Sequence, residues 1–316
     1  MNIRKKYRQL FYGQCAILLY HRITNLETDP QSLSVTPENF DDHLKHIREN
    51  YQLLTINDFF SHLSARKNLP KQSVIVTFDD GYADNLLEAL PVLERNNAQA
   101  LFYIATGNLN TANEFWWDEV ERHLLLPGKL PDSLQLIIGN SEMVFSTNTT
   151  SDKKSTYEKL LPLLRTMTPE ESKNTVFQIF EWAGRIPPRS THRSMTFNEI
   201  ELMAQSSSVV LGAHTHSHQS LAALSNEKQM SEILKSKEIL EGLTGKLITH
   251  FSYPFGTKKD YNQTTIKICE ELGFKWVAAN FPDTADLTSS KFQLPRFLVR
   301  DWKKKKFETY LKSIFN

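Results

Sequence analysis

Val74-Ile75-Val76-Thr77-Phe78-Asp79-Asp80-Gly81-Tyr82 sets a run of apolar residues directly against two carboxylates and a glycine. A run that is apolar on consecutive positions reads as a strand buried on both faces, and such strands belong to parallel sheets covered by helices. Working outward, similar short runs recur at residues 16–20, 51–55, 100–105, 209–213, 247–251, 276–279 and 297–299. Between them, residues 37–50, 82–96, 227–243 and 262–272 have helical length and amphipathic spacing. This alternation predicts the α/β class: a parallel sheet with helices outside it, open or closed into a barrel.

Local signals place some boundaries. Thr196 with Glu199 fits a capping box opening a helix over 197–204. Thr36 before Pro37 fits an N-cap followed by proline at the first helical position. Gly273 stands where a helix from Asn262 needs a left-handed end. From about 108 to 194 the alternation stops. Only residues 134–138 look like a buried strand there, and residues 157–183 look helical. The segment is read as a largely helical insertion on a single domain spanning 1–316.

Composition excludes some functions. Thirty-seven basic residues against thirty-six acidic leave a formal charge of +1, so no global field favours nucleic acid. Cys15 and Cys269 lack ligand-like spacing and read as buried thiols in a reducing compartment. The first residues, MNIRKKYRQLFYGQ, lack the apolar core of a secretory signal, and no apolar run approaches the roughly 20 residues that span a bilayer. The expected location is the cytoplasm. Arg4, Lys5, Lys6 and Arg8 could make peripheral contact with an anionic membrane or simply be solvated, and Lys303, Lys304, Lys305 and Lys306 read as a solvated helix start.

Three stretches carry chemistry, each after a predicted strand. In α/β barrels that is the end that bears the active site. Asp79 and Asp80 are costly to place together without a cation or a proton, although Asp-Asp-Gly is also an ordinary turn. His214-Thr215-His216-Ser217-His218 puts three histidines in five residues. Two imidazoles with one carboxylate make a plausible site for zinc or another first-row divalent ion; a polar loop with incidental histidines is the alternative. Phe251-Ser252-Tyr253-Pro254-Phe255-Gly256 could wall a sugar groove or be a structured turn. Trp116 and Trp117 could stack on a sugar or anchor the insertion, and Asp118 could orient a histidine.

Together these stretches resemble the polysaccharide deacetylase family (the NodB-homology group, carbohydrate esterase family four). TFDDGY is similar to its first motif, His214-Thr215-x-x-His218 to its second, and FSYPFG to its third. The resemblance implies a distorted, incomplete (β/α) barrel of about seven strands. It implies a hydrolase that removes an N-acetyl group from an amino sugar in a glycan or glycan precursor, with Asp79 as base. Asp80, His214 and His218 would hold a divalent metal, zinc foremost, with cobalt, nickel or manganese as alternatives. Thr215 would brace the histidine loop. Tyr253 would lie at the groove with its backbone N–H helping to hold an oxyanion, and Trp117 would meet the sugar.

Two departures stand out. Ser252 occupies the place of the family's third-motif arginine, and Arg296 could supply the guanidinium instead. No histidine follows His250, so the family's late acid-bearing motif is absent from its usual place. His21, directly after the first predicted strand, resembles the acid of rearranged members in which that strand comes first. Other readings stay open: a deformylase or deacylase of a lipid-linked sugar, and a non-catalytic carbohydrate-binding module that keeps the metal site.

Overall fold

The protein is described by a computed structural model over residues 13–315. The basic residues Arg4, Lys5, Lys6 and Arg8 lie outside the described residues. The strands in chain order are β1 (Cys15–Tyr20), β2 (Arg22–Ile23), β3 (Ser34–Val35), β4 (Gln52–Leu53), β5 (Ser73–Phe78), β6 (Ala100–Ile104), β7 (Ser133–Ile138), β8 (Ser141–Ser146), β9 (Val209–Ala213), β10 (His250–Ser252), β11 (Trp276–Ala278) and β12 (Phe297–Leu298). One all-parallel sheet runs β11-β10-β9-β6-β5-β1-β12, with β4 pairing the start of β5. The sheet curls into an incomplete barrel. Its open side, between β11 and β12, is narrowed by a parallel bridge from Ala278 to Leu294.

The consecutive apolar runs are buried on both faces, as their composition demands: all six positions of β1 and of β5 are buried. Alternate residues serve two cores. Leu18, Val76 and Phe102 join the larger cluster beneath helices Pro37–Asn50 and Asn226–Thr244. Ile17, Ile75, Leu101 and Tyr103 join a second cluster with Phe59 and Phe60 of helix Ile56–Ser64, which plugs the barrel at the end where the strands begin. The opposite end is left for the strand-end loops.

The local signals are realised. Thr196 and Glu199 form a reciprocal capping box, Thr36 caps the helix that opens on Pro37, and Gly273 is left-handed at φ 77. The helix expected over 82–96 begins instead as a π-helical turn, Asn85–Ala89, before an α-helix at Leu90–Arg95. Pro91 has no N–H to continue an α ladder, so a widened turn precedes it.

Segment 108–194 holds helices Trp116–Leu124, Thr150–Arg165 and Pro169–Ala183, packed with an antiparallel hairpin of β7 and β8 around a cluster of their own. The expectation of at most one strand here is corrected. In β8 only Phe145 is buried, so no apolar run marks it. Helix Thr150–Arg165 opens on a reciprocal capping box between Thr149 and Asp152.

Phe59 is fully buried at the base of the barrel. Phe59→Ala should therefore lower unfolding free energy by about 3–5 kcal/mol, read from the urea midpoint at unchanged m-value.

Candidate active site

The strand ends opposite the plug enclose a cavity of about 220 Å³. His21, Asp79, Asp80, Trp117, His214 and His218 line it, so it gathers most of the residues singled out in the sequence. They arrive from β1, β5, β9 and the start of segment 108–194.

Asp79 is 4% exposed and closes a buried ion pair with Arg296, 1% exposed. Arg296 Nη1 and Nη2 donate to the two carboxylate oxygens of Asp79, each at 2.7 Å, and Nε donates to the carbonyl of Ala279 at 2.9 Å. Nη2 also donates to Ser252 Oγ at 2.7 Å, and Ser252 Oγ donates onward to Asp79 at 3.3 Å. Burial works to raise the Asp79 carboxyl, but the Arg296 guanidinium, together with His214 and His21, holds the group below its ordinary value. A bidentate fork of this kind fixes orientation as well as charge. Ser252 is a small hydroxyl inside that network, which leaves room for Arg296.

Asp80 lies beyond the turn of the chain, in the left-handed region at φ 75, with Gly81 at φ 88 after it. That twist sends neighbouring carboxylates into one cavity, where extended backbone would point them apart. His214 is fixed by a 2.7 Å contact from Nδ1 to the carbonyl of Ser252, which assigns the proton to Nδ1 and turns the bare Nε2 inward. Burial brings His214 down to about 4, so the ring is neutral near pH 7. His218 Nε2 comes within 3.1 Å of His214 Nε2 and 3.2 Å of an Asp80 oxygen, and His214 Nε2 is 3.7 Å from the same oxygen. Two inward-facing ring nitrogens this close to each other and to a carboxylate are stable only around a shared proton or a cation. The donor set of two imidazoles and one carboxylate suits a first-row divalent ion.

The histidine loop is braced from several sides. Thr215 Oγ1 accepts from the His218 N–H at 3.1 Å, and Glu232 accepts from the N–H groups of His216 and Ser217 at 3.1 and 2.7 Å. Gly107 donates to the carbonyl of His216 at 2.7 Å, and a Cβ at Gly107 would sit 2.5 Å from that oxygen. His21 faces the cavity with a buried Nδ1 that has no partner among the described residues. Its backbone is held by Asn85, which donates to the His21 carbonyl at 2.8 Å, and by Asp84, which accepts from Arg22 Nε at 2.9 Å and from the Ile23 N–H at 3.1 Å. Burial lowers the His21 imidazole below its ordinary value, against the opposing pull of Asp80 and Asp79.

Trp117 both lines the cavity and anchors the segment it opens. Its ring meets His218 edge-on at 4.7 Å and stacks on Phe115 at 4.6 Å, and Nε1 donates to Tyr82 Oη at 2.8 Å.

Two expectations fail on geometry. The Tyr253 side chain is fully buried away from the cavity, stacked on Tyr261 at 4.1 Å, and its N–H donates to the carbonyl of Ala278 at 3.1 Å, so it is not free for an oxyanion. Tyr253 continues the ladder of β10, and the residue of this loop that reaches the cavity is Phe255, two positions on and left-handed at φ 59. Asp118 orients no cavity histidine; it accepts from Tyr82 Oη at 2.7 Å. With Glu121 and His192 it forms a second cluster of ligand-type atoms, but Arg189 is 3.2 Å from Glu121, and burial, then Arg22 and Arg189, push His192 down to about 3. Guanidiniums already supply the positive charge there. Gln31, Leu33, Arg165, Asn280 and Leu298 also line the main cavity and had no local sequence signal.

Carboxylates and imidazoles gathered at the strand ends of a parallel barrel are the equipment of a hydrolase. The profile of the family described as Polysaccharide deacetylase matches residues 66–125 and 142–277, so the chain belongs to the polysaccharide deacetylase family, hydrolases of the N-acetyl amide bonds of sugars. The chain is accordingly an enzyme, and the reading as a non-catalytic binding module is set aside. The matched segments include Asp79, Asp80, His214 and His218 and exclude His21 and Arg296. The Bacillus subtilis (strain 168) protein YxkH is 23% identical over 284 residues, 90% of this chain and 70% of its own length. Among solved structures, the Streptococcus pyogenes deacetylase PplD, in complex with acetate, superposes with a TM-score of 0.62 at 19% identity, covering 96% of this chain and 99% of its own. IcaB from Ammonifex degensii superposes with a TM-score of 0.60 at 17% identity, over 96% and 98%. These likenesses show the fold, a distorted and incomplete (β/α) barrel.

Removing Arg296 would leave Asp79 charged and unpaired in the interior. Arg296→Ala should cost about 3–5 kcal/mol of stability, and adding Asp79→Asn should recover part of that loss in chemical denaturation.

Proposed function

We propose that the protein is a metal-dependent hydrolase that removes an N-acetyl group from an amino sugar in a glycan or glycan precursor. The observation that carries this reading is the convergence of His214 Nε2, His218 Nε2 and an Asp80 oxygen beside the Arg296-bound Asp79, in a cavity shared with His21. Asp80, His214 and His218 would hold the ion. When bound, a divalent ion would polarise the acyl carbonyl and acidify water, zinc being the first choice and cobalt, nickel or manganese also compatible with the donors.

Asp79 is the general base. Arg296 keeps it ionised near neutral pH and aims its carboxylate, and it takes the proton of the attacking water. As the C–N bond breaks, His21 in its imidazolium form gives its proton to the leaving nitrogen, since an amine leaves poorly without one, and the proton that Asp79 took from water recharges His21 through solvent before the next turnover. The products are a free amino sugar and acetate. Trp117 and Phe255 wall the cavity and present ring surface to the sugar. Residues 1–316 would act as one catalytic domain, with the segment at about 108–194 contributing Trp117 and Arg165 to the rim. Both cysteines are buried and unpaired, which suits a reducing compartment such as the cytoplasm. Among the described residues no helix is long and apolar enough to cross a membrane.

The chemistry is tested by acetate release from N-acetylated sugars after metal loading, with N-formyl sugars and formate release run alongside. Acetate should dominate; formate dominance would convert the assignment to a deformylase. Chelation should abolish turnover, and a divalent ion should restore it. Asp79→Asn and His21→Ala should keep their metal content while kcat falls about 10²–10⁴-fold. His214→Ala should instead lose the metal, read by elemental analysis. Near-normal turnover in metal-loaded His21→Ala would remove that residue from the mechanism.

A further inference from the structure

The four lysines at the start of helix Lys304–Phe315 do more than solvate a helix end. Three of them, Lys303, Lys305 and Lys306, border an open surface groove of about 720 Å³ whose lining also includes Asp301, Trp302 and Tyr310. The rings of Trp302 and Tyr310 meet at 4.4 Å, and Lys306 Nζ lies 5.5 Å from the Trp302 ring centroid. All four lysines are exposed, and among the described residues none has an ion-pair partner. The acid among these residues, Asp301, is held by neutral donors, so one negative charge stands against the lysines. The carboxylate of Asp301 accepts from Thr36 N–H at 2.9 Å and Asn39 Nδ2 at 2.6 Å, and Glu308 lies 3.5 Å from His46. The chain as a whole carries only +1, so this is a local concentration of positive charge.

The groove follows the catalytic cavity closely along the chain. Leu298, the last residue of β12, lines the cavity, and Trp302 stands four residues later. Between them Arg300 Nη1 donates to the carbonyl of Gln31 at 2.8 Å and also to that of Ser32, and Gln31 is itself a cavity wall.

We propose that this groove binds a negatively charged glycan, so that the polymer presented to the cavity bears carboxylate or phosphate groups. The proposal rests on reading the cavity as a sugar deacetylase site and adds the charge of the substrate to it. Aromatic faces stack on sugar rings, and unpaired ammonium groups beside them attract anionic substituents. A bilayer fits less well: none of the large exposed apolar side chains lies in the groove.

The test compares carboxymethyl chitin with the neutral glycol chitin, binding each to the metal-loaded protein by calorimetry and following acetate release separately. The wild type should bind the anionic polymer about tenfold more tightly at low salt, and the preference should vanish near 1 M salt, where screening acts within about 3 Å. The variant K303E/K305E/K306E should lose the preference while its binding and turnover of glycol chitin stay unchanged. Acidic residues suit a helix N-terminus, so this variant should fold, and K303Q/K305Q/K306Q should show a smaller shift in the same direction. Equal wild-type binding of both polymers, or a preference that survives charge reversal, overturns the proposal. So does lysine-dependent binding to phosphatidylglycerol vesicles with none to either polymer. Because binding is read without turnover, polymer capture with no acetate release would sink the catalytic reading and leave the groove assignment standing.

Discussion

The buried pair of Asp79 and Arg296 is the constraint on which the rest of the structure depends. It joins the end of β5, near the middle of the sheet, to the segment that narrows the barrel's open side before β12. Two charges taken out of water repay their desolvation only with tight geometry and further hydrogen bonds. Those bonds come from Ser252, the last residue of β10, and the carbonyl of Ala279 just after β11. One guanidinium therefore ties together three loops and fixes the carboxylate that faces the cavity.

Around this pair the backbone is bent in ways side chains resist. Asp80, Thr215, His218 and Phe255 all have positive φ, a conformation that glycine adopts freely and other residues do not. All four lie at strand ends on or beside the cavity wall. Strain of this kind persists where surrounding contacts over-determine it, and here they do: Thr215 bonds His218, Glu232 holds two N–H groups of the histidine loop, and Arg165 lies 4.1 Å over the Phe255 ring. Arg165 also pairs with Asp260, which accepts from Thr257 and Ser220, so one carboxylate links the histidine loop, the Phe255 loop and segment 108–194.

The parallel sheet was legible because its strands are buried on both faces and read as unbroken apolar runs. All eight runs identified in the sequence became strands of the sheet. The β7–β8 hairpin was not legible, because a strand with one exposed face and a single buried residue has no such run. In the site, Asp80, His214 and His218 were legible because motif spacing in a loop is local. Arg296 was legible only as a candidate: its partner is 217 residues away, and nothing in the sequence between them encodes that distance. Tyr253 was misread because β10 runs on through it, so its alternation points it into the core, and Phe255 inherits the wall. Arg165 carried no signal at all, since a helix-terminal arginine looks like any solvated charge until the fold brings Phe255 and Asp260 beneath it.

The place of β1 in the sheet has a consequence for how the molecule is made. It lies between β5 and β12, pairing Leu18 with Val76 on one side and with Phe297 on the other. β1 thus waits for β12, far along the chain, before its second edge is covered, and contacts so distant in sequence are slow to form. Arg296 arrives with β12. Until then Asp79 has no guanidinium, and burying its charge is unfavourable. Covering the second edge of β1 and pairing Asp79 with a guanidinium therefore depend on one segment of the chain, and a chain without that segment has neither.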